Sequence, residues 1–204
     1  FSNFLKQKKY NGFEVQTLAS FNKNKVKEIL NCLTEAYEAW IKSESEKALK
    51  IGEKYKHQAQ KNFFNCNQSL KRMSEGIEFI CSDEKAFIAF SLANEVMLEQ
   101  FNWSNPDKKM SWRPFQIGYF LLSCISTVQD DHPDNDVFDL LWFPTGGGKT
   151  EAYLLLSCFL IFYNRLRKKN DIDYIFSCSS RFIFKKSIIN KFPNRIFNIH
   201  PSHL

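Results

Sequence analysis

Val137-Phe138-Asp139-Leu140-Leu141-Trp142-Phe143 runs directly into Pro144-Thr145-Gly146-Gly147-Gly148-Lys149-Thr150. The first seven residues form a short, nearly continuous apolar run of the kind that a buried parallel strand shows. After the glycines, residues 149–167 are apolar almost all round and long enough for a helix, ending on Arg165, Arg167, Lys168 and Lys169. Cations there suit the negative end of a helix dipole. The expected order is strand, glycine loop, helix.

A phosphate chain brings several negative charges against the backbone, so the loop that holds it needs glycines that permit close approach. Gly146, Gly147 and Gly148 supply that, and amides from Gly146 to Thr150 can point inward at a helix start. Lys149 is placed to reach the β- and γ-phosphates of ATP, and the Thr150 hydroxyl to ligate Mg2+. Glu151 follows directly. The general pattern Gly-x-x-x-x-Gly-Lys-Ser/Thr is incomplete, because Phe143 stands where the first glycine belongs. The plainer reading is a glycine-rich turn between a strand and a helix. Lys-Thr at this offset, between an apolar strand and an apolar helix, favours the phosphate loop.

Upstream, Trp112-Arg113-Pro114-Phe115-Gln116 opens another helix, with Pro114 suited to its first turn. A glutamine amide can donate to and accept from one adenine edge. Arg113 and Gln116 are therefore candidate nucleotide contacts. Their plainer readings are a surface cation and a polar helix position.

Earlier still the sequence is helical. Val26, Ile29, Leu30, Leu33, Tyr37, Trp40 and Ile41 recur at three- and four-residue steps. This helix is expected to continue as a polar, Lys/Glu-laced stretch toward His57 and Lys61. A second helix is expected around Leu70, Met73, Ile77 and Ile80. Ser82, Asp83 and Glu84 make a good start for a third, carrying Ala86 to Phe101. Residues 1–22 show no clear period and read as a connector or a frayed start, Asn102–Lys109 as a loop, and Asp130–Asp136 as a solvated acidic turn rather than a metal site. Asp173–Cys178 suits a further strand.

Composition sets outer limits. The chain has 204 residues, 44% hydrophobic and 25% charged, with no apolar run long enough to cross a bilayer and no signal peptide at Phe1–Tyr10. The six cysteines at 32, 66, 81, 124, 158 and 178 include no Cys-x-x-Cys pair, which points to core residues in a reducing, cytoplasmic setting. The net charge of +6 is concentrated in residues 165–204, where nine Lys or Arg face two acids. The charge balance alone therefore establishes no DNA-binding face.

The stretch from Trp112 to Arg167 resembles the helicase of the DISARM anti-phage system, a superfamily 2 protein. The resemblance lies in Arg113-Pro114-Phe115-Gln116 and in Asp139 through Leu154. It extends upstream to Ala36-Tyr37-Glu38-Ala39-Trp40-Ile41 and to Ala89-Phe90 with Ala93-Asn94-Glu95-Val96-Met97 and Gln100. In such helicases the loop begins Pro-Thr-Gly and tolerates a non-glycine at the position of Phe143. The resemblance implies ATP and Mg2+ as cofactors, with Lys149 and Thr150 catalytic and Thr150 on the metal. Arg113, Gln116, Pro144, Thr145, Gly146, Gly147, Gly148 and Glu151 would then join Lys149 and Thr150 in holding the nucleotide. It also implies DNA as the polymer for the full-length protein, and other defence-system subunits as partners.

The expected fold class is thus α/β. A mainly helical region, residues 1–110, leads into the start of an incomplete RecA-like P-loop domain, residues 111–178, followed by a basic tail, residues 179–204. The chain begins at Phe1 without methionine, and no Asp-Glu box follows the loop. An amino-terminal fragment is therefore expected, unable to hydrolyse ATP alone and with apolar surface left open on the Leu154–Phe162 helix. Residues 171–204 hold seven Ile and five Phe but no Gly, Ala, Val, Thr, Glu or Gln. That texture fits a shifted reading frame after about Asn170 as well as it fits an ordinary basic strand and loop. Two rival readings are a non-helicase P-loop motor, and a helical protein-interaction module carrying a vestigial loop.

Overall fold

The computed structural model describes residues 1–7, 12–137, 139, 146–167, 175–178 and 196–199. The chain is mostly helical. In order come α1 (Ser2–Gln7), β1 (Phe13–Glu14), α2 (Val15–Leu18), α3 (Lys23–Ala48), α4 (Glu53–Ser82) and α5 (Glu84–Ser104). They are followed by β2 (Ser111–Trp112), α6 (Pro114–Ser123), α7 (Lys149–Arg167), β3 (Ile175–Cys178) and β4 (Ile196–Ile199). Contacts divide the chain into a unit from Phe1 to Leu166 and a smaller one from Arg167 to Leu204.

In the larger unit α3 and α4 form a long antiparallel hairpin. The apolar period of α3 buries Val26, Leu30, Leu33, Ala36 and Ile41, and that of α4 buries Met73, Ile77 and Ile80. Asn22 caps α3, its side chain accepting from the Lys25 amide at 3.1 Å. The helix does not run on to Lys61 as expected: it stops at Ala48, and α4 starts after Gly52. Lys/Glu-laced sequence favours helix on both sides, so composition hides this turn. What reads as a second helix around Leu70–Ile80 is the inner end of one 30-residue helix.

Asp83 caps α5 as the sequence suggests, accepting from the Ala86 amide at 2.9 Å. It also accepts from the Tyr163 hydroxyl at 3.1 Å. Helix α5 extends to Ser104, past the expected loop start at Asn102. Within residues 1–22, read as a connector or a frayed start, Leu5, Phe13, Val15 and Leu18 are buried in the core. Phe13 pairs with Trp112 across the two-stranded antiparallel β1–β2 ladder. The Trp112 indole donates to Asn94 Oδ1 at 2.7 Å, and Asn94 Nδ2 donates to the Phe90 carbonyl. Both Trp112 and Asn94 are buried, so this pair fixes the entry to α6 with its polar atoms satisfied.

Aromatic rings join α5, α6 and α7. Phe90 meets Phe120 at 5.2 Å, Phe120 meets Phe159 edge-on at 5.2 Å, and Phe159 stacks on Tyr163 at 5.6 Å. Helix α7 thus buries one stripe, Ala152, Leu155, Leu156, Phe159 and Tyr163, against helices. The expected open apolar surface is confined to the other side, where Tyr153 and Ile161 are exposed.

The expected strand Val137–Phe143 lies outside the described residues except at Val137 and Asp139. In the smaller unit β3 and β4 pair in parallel, Ile175 with Ile196 through Cys178 with Ile199. The expected strand at Asp173–Cys178 is therefore present over Ile175–Cys178, and Ile196–Ile199 of the expected tail is its partner. Among the described residues no helix is long and apolar enough to cross a membrane.

Candidate functional site

Gly146, Gly147 and Gly148 form a turn that leads without a break into α7 at Lys149. Gly146 has φ +78° and Gly148 φ +85°, a left-handed conformation that side chains rarely adopt. A Cβ on Gly148 would also lie 2.7 Å from Gln116 Nε2. Lys149 is half-buried, and Thr150 and Glu151 are exposed on the first turn of α7. The anion-favouring end of α7 therefore sits directly behind the glycines.

The loop is tied to α6 from outside. The Arg113 backbone amide donates to Gln116 Oε1 at 2.8 Å, half of a capping box at the start of α6. Gln116 Nε2 then donates to the Gly148 carbonyl at 2.7 Å, and Arg113 Nη1 donates to the Gly147 carbonyl at 2.9 Å. Gln116 is buried, and among the described residues its bonds leave one Nε2 hydrogen and one Oε1 lone pair uncommitted. With both carbonyls drawn toward α6, the backbone is turned so that loop amides can face away from it. Of the residues that sequence singled out, Arg113, Gln116, Gly147 and Gly148 are thus brought into direct contact. Lys149, Thr150 and Glu151 follow on α7. Pro144 and Thr145 lie outside the described residues.

Sequence reading missed a second tether. Arg72, on α4, forks onto Asp139, with Nη1 to Oδ1 at 2.8 Å and Nη2 to Oδ2 at 2.7 Å. Nη2 also donates to the Leu122 carbonyl of α6 at 3.0 Å. Arg72 Nε lies 2.9 Å from Asp134 Oδ2, an ion pair whose geometry does not make a hydrogen bond. The hydrogen bonds to Asp139 hold the Arg72 pKa above its usual value. In the acidic turn Asp130, Asp131 and Asp136 are exposed, as expected, while Asp134 is drawn toward Arg72. It is an anchor for α4, and among the described residues no group of three metal-ligating side chains occurs.

Helix α4 comes close enough to α6 for this fork because Gly76 lies at the crossing. A Cβ there would fall 2.4 Å from the Leu121 carbonyl oxygen. Beside the crossing, α3, α4 and α6 enclose a cavity of about 600 Å3, lined by Tyr37, Trp40, Met73, Arg113, Phe115 and Tyr119 among others. Tyr37 stacks on Trp40 at 5.6 Å, and burial raises the pKa of the Tyr37 hydroxyl. An aromatic, concave space with one guanidinium at its edge is the usual form of a small-molecule pocket. Cys124, fully buried behind α6, has its thiol pushed up to about 12 by desolvation. It is a packing residue, as the scattered cysteines suggest.

No family model matches the chain. Over 154 residues it is 36% identical to the DISARM protein DrmA of Bacillus paralicheniformis. The match covers 67% of this chain and 13% of that protein, so the chain spans only a small part of its relative's length.

Proposed function

We propose that this chain is the nucleotide-binding amino-terminal part of an ATP-dependent superfamily 2 DNA helicase or translocase acting in phage defence. The observation that carries the reading is the glycine turn at the head of α7. Its two left-handed glycines and two tethered carbonyls leave backbone amides to an anion. The similarity to a DISARM protein supports the defence setting, and the whole protein would act with DNA and with other subunits of such a system.

In this reading the α- and β-phosphates rest on the amides of residues 146–150, and Lys149 neutralises charge toward the γ-phosphate. Thr150 Oγ1 would hold Mg2+, which would draw charge from the phosphate oxygens. Glu151 sits on the same first turn, where its carboxylate would add a second acceptor near that position. The hydrogen and lone pair left over on Gln116 are the two groups that one adenine edge requires. Arg113 links the loop to the aromatic cavity that has room for the base. The described body of residues 1–166 is helical; the first strand, loop and helix of a RecA-like domain account for residues 137–167 in this reading.

After Thr150 the acids are Glu151, Asp171 and Asp173, with no Asp-Glu box to position an attacking water. Binding without turnover is therefore expected. Equilibrium dialysis with MgATP should show weak binding, on the order of millimolar, abolished by Lys149→Ala. Binding that survives this change would remove the phosphate-loop reading, and magnesium-dependent turnover by the chain itself would show that the missing box is not needed.

A further inference from the structure

From Lys54 to Ser74 the sequence runs for twenty-one residues without one Asp or Glu, while carrying four Lys and Arg72. The structure places all of this on α4. Lys54, Gln58, Lys61, Phe64, Gln68 and Lys71 are each exposed, and their three- and four-residue steps set them on one side of the helix. The stripe is about 26 Å long at 1.5 Å per residue. Lys54 and Lys61 make no ion pair among the described residues, and Phe64 is 63% exposed.

The charge is local. Residues 42–71 hold seven Lys against three Glu, a balance of +4, although residues 1–164 together hold nineteen basic and twenty acidic residues. The rest of that region is therefore −5. The outer end of the α3–α4 hairpin thus gathers positive charge out of an acidic body, and such a surface is suited to meet a polyanion. Its chemistry favours one kind. Lysines as point charges, amides between them and an open ring suit phosphates, sugars and a base face.

We propose that the outer half of α4, from Lys54 to Lys71, is a docking stripe for the sugar-phosphate backbone of a nucleic acid. Its inner end is continuous with the candidate site. One residue beyond Lys71, Arg72 turns inward and forks onto Asp139, ten residues ahead of Lys149. A strand lying along the stripe thus ends where the segment entering the glycine loop is anchored.

The stripe does not need nucleotide, so binding is measured without it, and failure of the phosphate site would leave the stripe standing. The test uses the full chain and fluorescent oligonucleotides of about 30 nucleotides, single- and double-stranded, with anisotropy followed against salt. The triple variant Lys54→Gln, Lys61→Gln, Lys71→Gln should bind roughly ten-fold more weakly at about 0.1 M salt. Its slope of log affinity against log salt should fall by about 2 for single strands and about 3 for duplex, the share of three phosphate contacts. The matched variant Lys85→Gln, Lys108→Gln, Lys109→Gln removes the same charge from other exposed positions and should leave the slope unchanged. Far-UV circular dichroism checks that both keep their helix content. Equal slopes for the two variants, or an unchanged slope for the first, would overturn the proposal. So would displacement of the oligonucleotide by polyglutamate at equal charge, which would assign the stripe to an acidic protein.

Discussion

Between Glu53 and Arg72 helix α4 buries no residue, whereas from Met73 to Ser82 it buries Met73, Gly76, Ile77, Ile80 and Cys81. One continuous helix therefore has an outer half with side chains at most partly buried, such as Phe63, Cys66 and Leu70, and an inner half stabilised by packing. The outer half adds local pairs such as Lys56 with Glu53 and Gln58 with Asn62. Such contacts support a helix weakly and leave its side chains available. The inner half does the opposite: its side chains are committed to α3, α5 and α6, and it carries the groups that reach the segment before the glycine loop. The comparison separates where this molecule is built from where it is open.

The largest break is expected at the boundary residue. Arg72→Ala removes a guanidinium with its side chain only 13% exposed and leaves Asp139 without its partner. Losing this partly buried fork together with the bond to the Leu122 carbonyl costs about 3 kcal/mol, read as a lower denaturation midpoint in urea. The same variant should weaken MgATP binding, since the segment entering the loop loses its anchor. Arg72→Lys keeps the charge but not the fork, and should recover stability only in part. An unchanged midpoint in Arg72→Ala would show that the inner half does not depend on this fork.

Next in size is Gly76→Ala. Alanine is the better helix former, so on propensity alone the change should stabilise by about 1 kcal/mol. The Cβ would instead meet the Leu121 carbonyl at 2.4 Å, backbone that cannot swing aside. A net loss of about 2 kcal/mol is expected as α4 and α6 are pushed apart. A gain in stability would mean that the crossing is loose and the inner half less tightly packed than its burial suggests.

These two residues also mark what the sequence could and could not disclose. The apolar periods of α3, α5 and the inner half of α4 were legible because burial there repeats at helical spacing. The Asp83 cap was legible for a local reason, an acid next to the first free amides. Leu5, Phe13, Val15 and Leu18 were not, because they lie on short pieces with no period, and their burial depends on partners such as Trp112, far along the chain. The glycine loop announces itself by composition, and Arg113 and Gln116 could be singled out by position. Their bonds to Gly147 and Gly148 span 34 and 32 residues, which no local pattern encodes. Arg72 gave one faint signal, as the last cation before α4 turns apolar. Asp139 gave another, as the single charge inside an apolar run.

The smallest effect expected is the one that bears most directly on the outer half. Tyr55 is 60% exposed near the tip of the hairpin, where Lys54 Nζ lies over its ring at 5.6 Å. Tyr55→Ala removes a large aromatic side chain, yet Ala is the stronger helix former and little packing is lost. The change should therefore move stability by less than about 0.5 kcal/mol, in the same urea titration that detects Arg72→Ala. A loss several times larger would mean that the tip is covered in solution, and the outer half would then belong to a packed interface rather than to an open arm. A loss near zero, set beside the costs at Arg72 and Gly76, would confine the energetic commitment of α4 to its inner turns. The exposed cations and rings of the outer turns are then free to serve binding, because the fold does not depend on them.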